Sequence, residues 1–327
     1  MSSVKLGKAV FLDLDSVHPP DLDLSALESA VRQWGWHGLI AAADMPAALA
    51  DAEVVVSNKV WLGAQQLAMA PKLKLVCIAA TGTNNIDLAA AAANGIAVCN
   101  VRAYATPSVV QHVFAMLLSL TTHLDGYRES VRRGDWSRSP FFCLFGEPIR
   151  ELRGRTLGIV GYGELGKAVT GIASAFGMDV LLARRDASDT REGRLPLHEL
   201  LPRVDVLSLH CPLTDANRNL IGADELALMK ADAVLINTAR GGLVDEAALL
   251  DALQNRRLGG AAVDVLEKEP PAQSSALIDA GLPNLIVTPH IAWSSRESRQ
   301  RLVDEIALNI RAFAGGSIRN QVGSVLR

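Results

Sequence analysis

The chain has 327 residues, 49% of them hydrophobic and 20% charged, which is enough apolar material for two domain cores. A net charge of −3 leaves no basic footprint for nucleic acid. Cys77, Cys99, Cys143 and Cys211 form no C-x-x-C pair, so a disulfide scaffold and a metal ladder are both disfavoured, and reduced thiols in a cytoplasmic protein are expected.

The N-terminal residues lack the apolar core of a signal peptide. Residues 9–14 read as a strand, 24–33 as a helix, 54–56 and 73–78 as strands, 88–93 as an Ala-rich helix and 96–99 as a strand. This alternation predicts a parallel sheet with helices on its faces. The turn holding Ala80, Thr81 and Gly82 follows a strand, where α/β folds bind ligands. Two readings stand there: backbone amides turned toward an anion, or a plain turn into a helix capped by Asp87.

Residues 106–124 predict a long helix that is apolar on several faces and therefore buried between layers or domains. Gln111, His112 and His123 interrupt it, so it falls short of a membrane span of about 18 uncharged residues. His112 and His123 are expected in the core or at an interface. Residues 125–149 read as a long loop bearing Trp136, Phe141, Phe142 and Phe145. Such aromatics suit a partner surface or a loop folded onto its own domain.

From Thr156 a second α/β series begins, with strands at 157–160, 180–183, 206–209, 234–237, 261–265 and 285–287. Helices fall at 164–176, 223–229 and 245–254. A dinucleotide-binding domain of this pattern needs about six strands, and the count is complete at Val287. The amphipathic helix at 296–313, stopped by Gly315 and Gly316, is surplus and free to return to the first half, which makes that domain discontinuous.

The first strand of this series, with Leu157, Ile159 and Val160, runs into Gly161, Gly163 and Gly166. Their spacing is G-x-G-x-x-G, between a strand and a helix. The first glycine allows the tight turn, the second lets a pyrophosphate reach the backbone, and the third lets the helix pack on the strand. The helix N-terminus offers free N–H groups to the phosphates. An acid at the end of the next strand would grip a ribose 2′-OH, but Arg184 and Arg185 stand there, followed by Asp186. Paired guanidiniums suit a 2′-phosphate, so NADP(H) is favoured with NAD(H) possible. The other reading makes the arginines solvated and Asp186 the grip.

Arg240, Glu269 and His290 follow the last strands of this series. An arginine, a carboxylate and a histidine at strand ends meet the needs of carbonyl reduction: an anion clamp, and a proton donor held charged by its neighbour. His210, after the strand at 206–209, is read as structural or on the coenzyme side.

Several spaced segments in one order now carry a resemblance. They are the glycine turn, His210-Cys211-Pro212-Leu213-Thr214, Arg240-Gly241-Gly242-Leu243-Val244-Asp245-Glu246, Glu269-Pro270 and Pro289-His290. Along nearly its full length the chain resembles the D-isomer-specific 2-hydroxyacid dehydrogenases. Ser57-Asn58-Lys59, Phe142-Cys143-Leu144 and His290-Ile291-Ala292-Trp293 look most like the glycerate dehydrogenases of that family, also called hydroxypyruvate reductases.

The resemblance implies a Rossmann doubly wound domain at 102–294, inserted in a smaller flavodoxin-like α/β substrate domain of residues 1–101 and 295–327. It also implies a deep cleft between the domains and a homodimer built on a helix and arm near 106–150. Arg240, Glu269 and His290 become the catalytic trio, with Ala80, Thr81, Gly82, Arg240 and His290 at the substrate. The coenzyme would meet Thr106, Gly161, Gly163, Glu164, Leu165 and Gly166. Beyond the turn it would meet Arg184, Arg185, Cys211, Pro212, Thr238, Ala239 and Asp264. No metal, nucleic acid or membrane partner is implied. The activity implied is reduction of hydroxypyruvate or glyoxylate by NAD(P)H. The alternatives are a nucleotide-sensing corepressor, or another 2-hydroxyacid or formate-type dehydrogenase. The common family pattern has an acid where Arg184 stands.

Overall fold

Apolar β-branched runs bounded by glycine and polar turns build two parallel sheets in a computed structural model, which describes residues 6–271 and 275–323. The chain divides into two units, Met1–Ala105 with Ser294–Arg327, and Thr106–Trp293.

Among the described residues, the first unit begins with β1 (Lys8–Phe11), α1 (Ser25–Glu28), β2 (Gln33–Trp36), α2 (Met45–Leu49) and β3 (Val54–Ser57). It continues through α3 (Ala64–Ala68), β4 (Leu75–Ile78), α4 (Leu88–Ala93) and β5 (Ala97–Cys99). The strand order β2-β1-β3-β4-β5 is the flavodoxin-like order, all parallel. Val10, Val55, Val76 and Ile78 are fully buried, as expected of strands covered on both faces.

The helix expected at 24–33 is corrected: it stops at Glu28, and residues 33–36 form β2. Among the described residues this edge strand pairs only with β1, and it is half exposed. Gln33-Trp34-Gly35-Trp36 has no apolar run to announce it. Trp34 and Trp36 stack at 4.3 Å on one face of the strand, as residues two apart must.

The second unit opens with α5 (Thr106–Thr122) and α6 (Leu124–Arg132), then β6 (Thr156–Val160), α7 (Glu164–Ala175), β7 (Asp179–Ala183) and β8 (Arg194–Leu195). Next come α8 (Leu197–Leu200), β9 (Val206–Leu209), α9 (Ala223–Leu228), β10 (Val234–Asn237) and α10 (Glu246–Gln254). It closes with β11 (Gly260–Val263), α11 (Ala276–Asp279) and β12 (Leu285–Val287). The sheet runs β12-β11-β10-β9-β6-β7-β8, the doubly wound order with one added edge. The order reverses between β6 and β9, which are neighbours.

Two expectations change here. Among the described residues the sheet has seven strands rather than six, because the two-residue β8 pairs with β7. Residues 125–149 are not all loop: α5 ends where His123 takes a left-handed φ of 50°, and α6 follows. The apolar side of α5, including Val113, Phe114 and Leu117, is buried.

The last helix, α12 (Arg296–Ala314), belongs to the first unit. Buried Arg299 meets Asp21 in a two-pronged ion pair at 2.6 and 2.7 Å, and Asn309 donates to the Asn100 carbonyl at 2.9 Å. No helix among the described residues is long and apolar enough to cross a membrane.

Candidate active site

The glycine turn lies at the C-terminal end of β6, beside the point where the sheet reverses direction. Gly161 has φ 97°, and a Cβ there would stand 2.5 Å from the Cys211 backbone nitrogen. Only glycine fits both demands. A Cβ on Gly166 would run into the Gly161 carbonyl, so this glycine sets how closely α7 approaches the turn. A Cβ on Gly163 would meet no described atom within 4 Å, which leaves the first turn of α7 open to a pyrophosphate. Two buried polar atoms beyond neighbouring strand ends, His210 Nδ1 and Thr238 Oγ1, have no partner among the described residues. Burial lowers the His210 imidazole to about 4, so the ring is neutral at pH 7, and its Nε2 pairs with Ser208 Oγ at 2.9 Å. These features fit a dinucleotide at this edge. Thr106 donates to the Glu164 carboxylate, which joins two further expected coenzyme residues.

At the end of β7, Arg184 Nε donates to the Arg194 carbonyl at 3.2 Å and Arg185 Nε to Asp186 at 2.7 Å. Ser188 and Arg185 hold the Asp186 carboxyl below its ordinary value. Asp186 is therefore already engaged by protein donors.

Arg240, Glu269 and His290 follow β10, β11 and β12, which are adjacent and parallel, so all three emerge at one edge of the sheet. His290 Nδ1 and Glu269 Oε2 lie 2.5 Å apart, both side chains about 30% exposed. The two groups are in direct hydrogen-bond contact, charge-assisted when the ring carries both protons. Glu269 Oε1 accepts from the Leu266 N–H at 2.8 Å, which fixes the carboxylate. Arg240 gives Nη1 to the Ala239 carbonyl at 2.6 Å, and Asn237 holds the Arg240 carbonyl at 2.8 Å.

Sequence reasoning missed how His290 is held. Its φ of 55° is left-handed, and its N–H donates to the Asp264 carbonyl at 2.8 Å. The buried Asp264 carboxylate accepts from Thr288 at 2.6 Å and from the Ile291 and Ala292 N–H groups at 2.9 Å each. His112 of α5 reaches Thr288 at 3.0 Å, and Ser108 donates to the Ala292 carbonyl at 2.7 Å. Asp264, expected at the coenzyme, thus anchors the loop carrying His290. Only the spacing of Ser108 and His112, four apart on one helix face, hints at this.

In the first unit, Ala80, Thr81 and Gly82 follow β4. Thr81 Oγ1 donates to the Val101 carbonyl at 2.8 Å, and Asp87 caps α4 through the Ala90 N–H at 2.9 Å. The buried Asp13 carboxylate accepts from the backbone of Asn58 and Lys59 at 2.9 and 2.6 Å, which fixes the turn after β3.

A doubly wound sheet, a glycine turn open to phosphate and a histidine–carboxylate pair at the same strand ends define a dinucleotide-dependent oxidoreductase. Residues 114–292 match the family model described as "D-isomer specific 2-hydroxyacid dehydrogenase, NAD binding domain". The chain is 45% identical to the glycerate dehydrogenase of Methylorubrum extorquens over 310 residues, 92% of this chain and 97% of that one. It is 35% identical to the hydroxypyruvate reductase of Blautia hydrogenotrophica over 322 residues, covering 96% and 99% of the two. It also superposes, at TM-score 0.82 and 29% identity, on an NADPH-dependent glyoxylate/hydroxypyruvate reductase from Sinorhizobium meliloti solved with NADP and malonate. That match covers 98% of this chain and 97% of the other. The chain belongs to the D-isomer-specific 2-hydroxyacid dehydrogenases, and it is an NAD(P)-dependent enzyme acting on a CH–OH group.

Proposed function

We propose that the chain reduces hydroxypyruvate or glyoxylate to the D-2-hydroxy acid, with NADP(H) as preferred coenzyme. The observation that carries the reading is the 2.5 Å pair of His290 and Glu269 at the strand ends of the coenzyme unit.

Gly161, Gly163, Glu164, Leu165 and Gly166 would hold the pyrophosphate, with Thr106, Cys211, Pro212, Thr238, Ala239 and Asp264 along the rest of the coenzyme. Arg184 and Arg185 would take the 2′-phosphate, where a carboxylate would repel it. When bound, the nicotinamide supplies a hydride to the keto carbon. His290 protonates the carbonyl oxygen: Nδ1–H is committed to Glu269, so Nε2–H is the donor. Glu269 stabilises the imidazolium through its charge. Arg240 spends one N–H on the Ala239 carbonyl and keeps the rest of its fork for the substrate carboxylate. The turn of Ala80, Thr81 and Gly82 grips the other carboxylate oxygen.

The assembly we propose is a homodimer. Phe141, Phe142 and Phe145 are 68, 92 and 87% exposed, while Trp136 and Ser139 donate to the Phe142 and Cys143 carbonyls at 3.0 Å each. An arm ordered by its own bonds that still presents three aromatic rings suits a second copy. The compartment we propose is the cytoplasm, on the four widely spaced cysteines of the sequence, which suit reduced thiols.

A panel of small 2-keto acids assayed with NADPH and with NADH tests the reading. Hydroxypyruvate or glyoxylate with NADPH is expected to give the highest kcat/KM. No turnover of either with either coenzyme overturns the substrate, and a clear NADH preference overturns the coenzyme.

A further inference from the structure

The segment joining β7 to β8 is exposed apart from Asp189, whose side chain is 2% exposed. Its two oxygens gather the donors around them. Arg185 gives its backbone N–H at 3.0 Å, and Arg191 gives Nε and Nη2 at 2.6 and 2.7 Å. Arg194 Nη1 lies 3.7 Å away, on a side chain only 9% exposed. The Arg191 guanidinium and the Arg185 N–H hold the Asp189 carboxyl well below the usual carboxylate range, so its charge is constant at working pH.

The same Arg194 guanidinium sits 5.7 Å from the ring centroid of Tyr162, the residue between the first two glycines. Lys167 Nζ lies 5.9 Å from that ring. One carboxylate therefore ties the arginine-bearing loop together, and one arginine links that loop to the glycine turn. A carboxylate so close to a 2′-phosphate would repel it unless its charge were matched; here Arg191, bonded to both of its oxygens, matches it.

We propose that Asp189 is the positioning residue for coenzyme choice, holding the loop so that Arg184 and Arg185 face a phosphate monoester on the ribose. Arg194, seated on Tyr162, is the third cation of that subsite. The assignment rests on the NADP(H) reading. Asp189 acts through geometry: its bond to the Arg185 N–H sets where that backbone stands, and its pairs with Arg191 and Arg194 keep the loop folded toward the turn.

The test is calorimetric binding of 2′,5′-ADP and of 5′-ADP to the full chain, wild type against Asp189→Asn and Arg194→Ala. The wild type should favour 2′,5′-ADP by about tenfold or more, the scale of one strong phosphate contact. Each variant should shrink that ratio several-fold, and the ratio of KM for NADPH to KM for NADH should rise in step. Arg194→Lys should restore part of the ratio, which also covers the case of one variant failing to fold. A purely structural role would weaken both ligands alike, and that result overturns the proposal. A wild-type preference kept by the variants removes Asp189 and Arg194 alone. A wild type with no preference removes the NADP(H) reading with them.

Discussion

His290 combines its proposed proton-donor role with a backbone angle that L-residues seldom adopt, held by two anchors on Asp264. His290→Ala is expected to lower kcat by about 10²–10⁴, the usual contribution of a general acid. Asparagine tolerates the left-handed region better, so His290→Asn separates lost chemistry from lost loop geometry. A near-normal kcat in both removes the acid role. Glu269→Gln keeps a polar group beside His290 Nδ1 but removes its charge, so kcat for reduction should fall by about tenfold or more. A near-normal kcat in that variant refutes the pairing. The residue types were legible in the sequence, because Arg240, Glu269 and His290 each follow a strand. Their support was not: Asp264 accepts donors from 24 to 28 positions away, and nothing local announces that.

The glycine turn gives a prediction at the scale of elements. Gly161→Ala meets both a forbidden angle and the Cys211 backbone, so it should cost about 1–3 kcal/mol of stability and weaken both coenzymes. Gly163→Ala has open space, so Tm should stay close to wild type while KM rises for both coenzymes. A melting curve and coenzyme kinetics on the two variants decide it; equal loss of Tm sinks the distinction. Strands β9, β10 and β12 could be read directly because each is a short, mostly apolar run between turn residues. Two elements could not. The edge strand β2 hides in a tryptophan–glycine stretch, and β8 is two residues long with an arginine in it. Short edges are defined by their partner strand, which a local pattern does not contain. The buried Asp189 was hidden for the same reason, since its neighbours read as a solvated charge cluster.

For the molecule as a whole, acid should unfold it by two additive routes. His210 falls from 6.5 when exposed to about 4 when folded. The unfolded chain thus binds the extra proton, and stability present above pH 6.5 is lost as pH falls toward 4, by about 3 kcal/mol. Asp21 is held at about 2 by Arg299, so its contribution persists above its ordinary value of 3.8 and disappears only below it. Urea midpoints at pH 7 and pH 4.5 should differ in the wild type and differ less in His210→Asn; an equal drop removes the histidine as the cause. The aromatic arm acts at this scale too. Phe142→Asp should shift sedimentation from the proposed dimer toward monomer, since burying one such ring is worth about 1.5–3 kcal/mol. An unchanged sedimentation coefficient rejects the arm as the contact.

The return of α12 to the first unit sets an order of events during synthesis. This helix packs on β4 and α1, yet more than two hundred codons separate it from them. The nascent first sheet therefore waits, β4 lacking the cover of α12, while the ribosome makes the whole coenzyme unit. The later-encoded body can mature first, and the earlier-encoded one is the segment that would need chaperone cover.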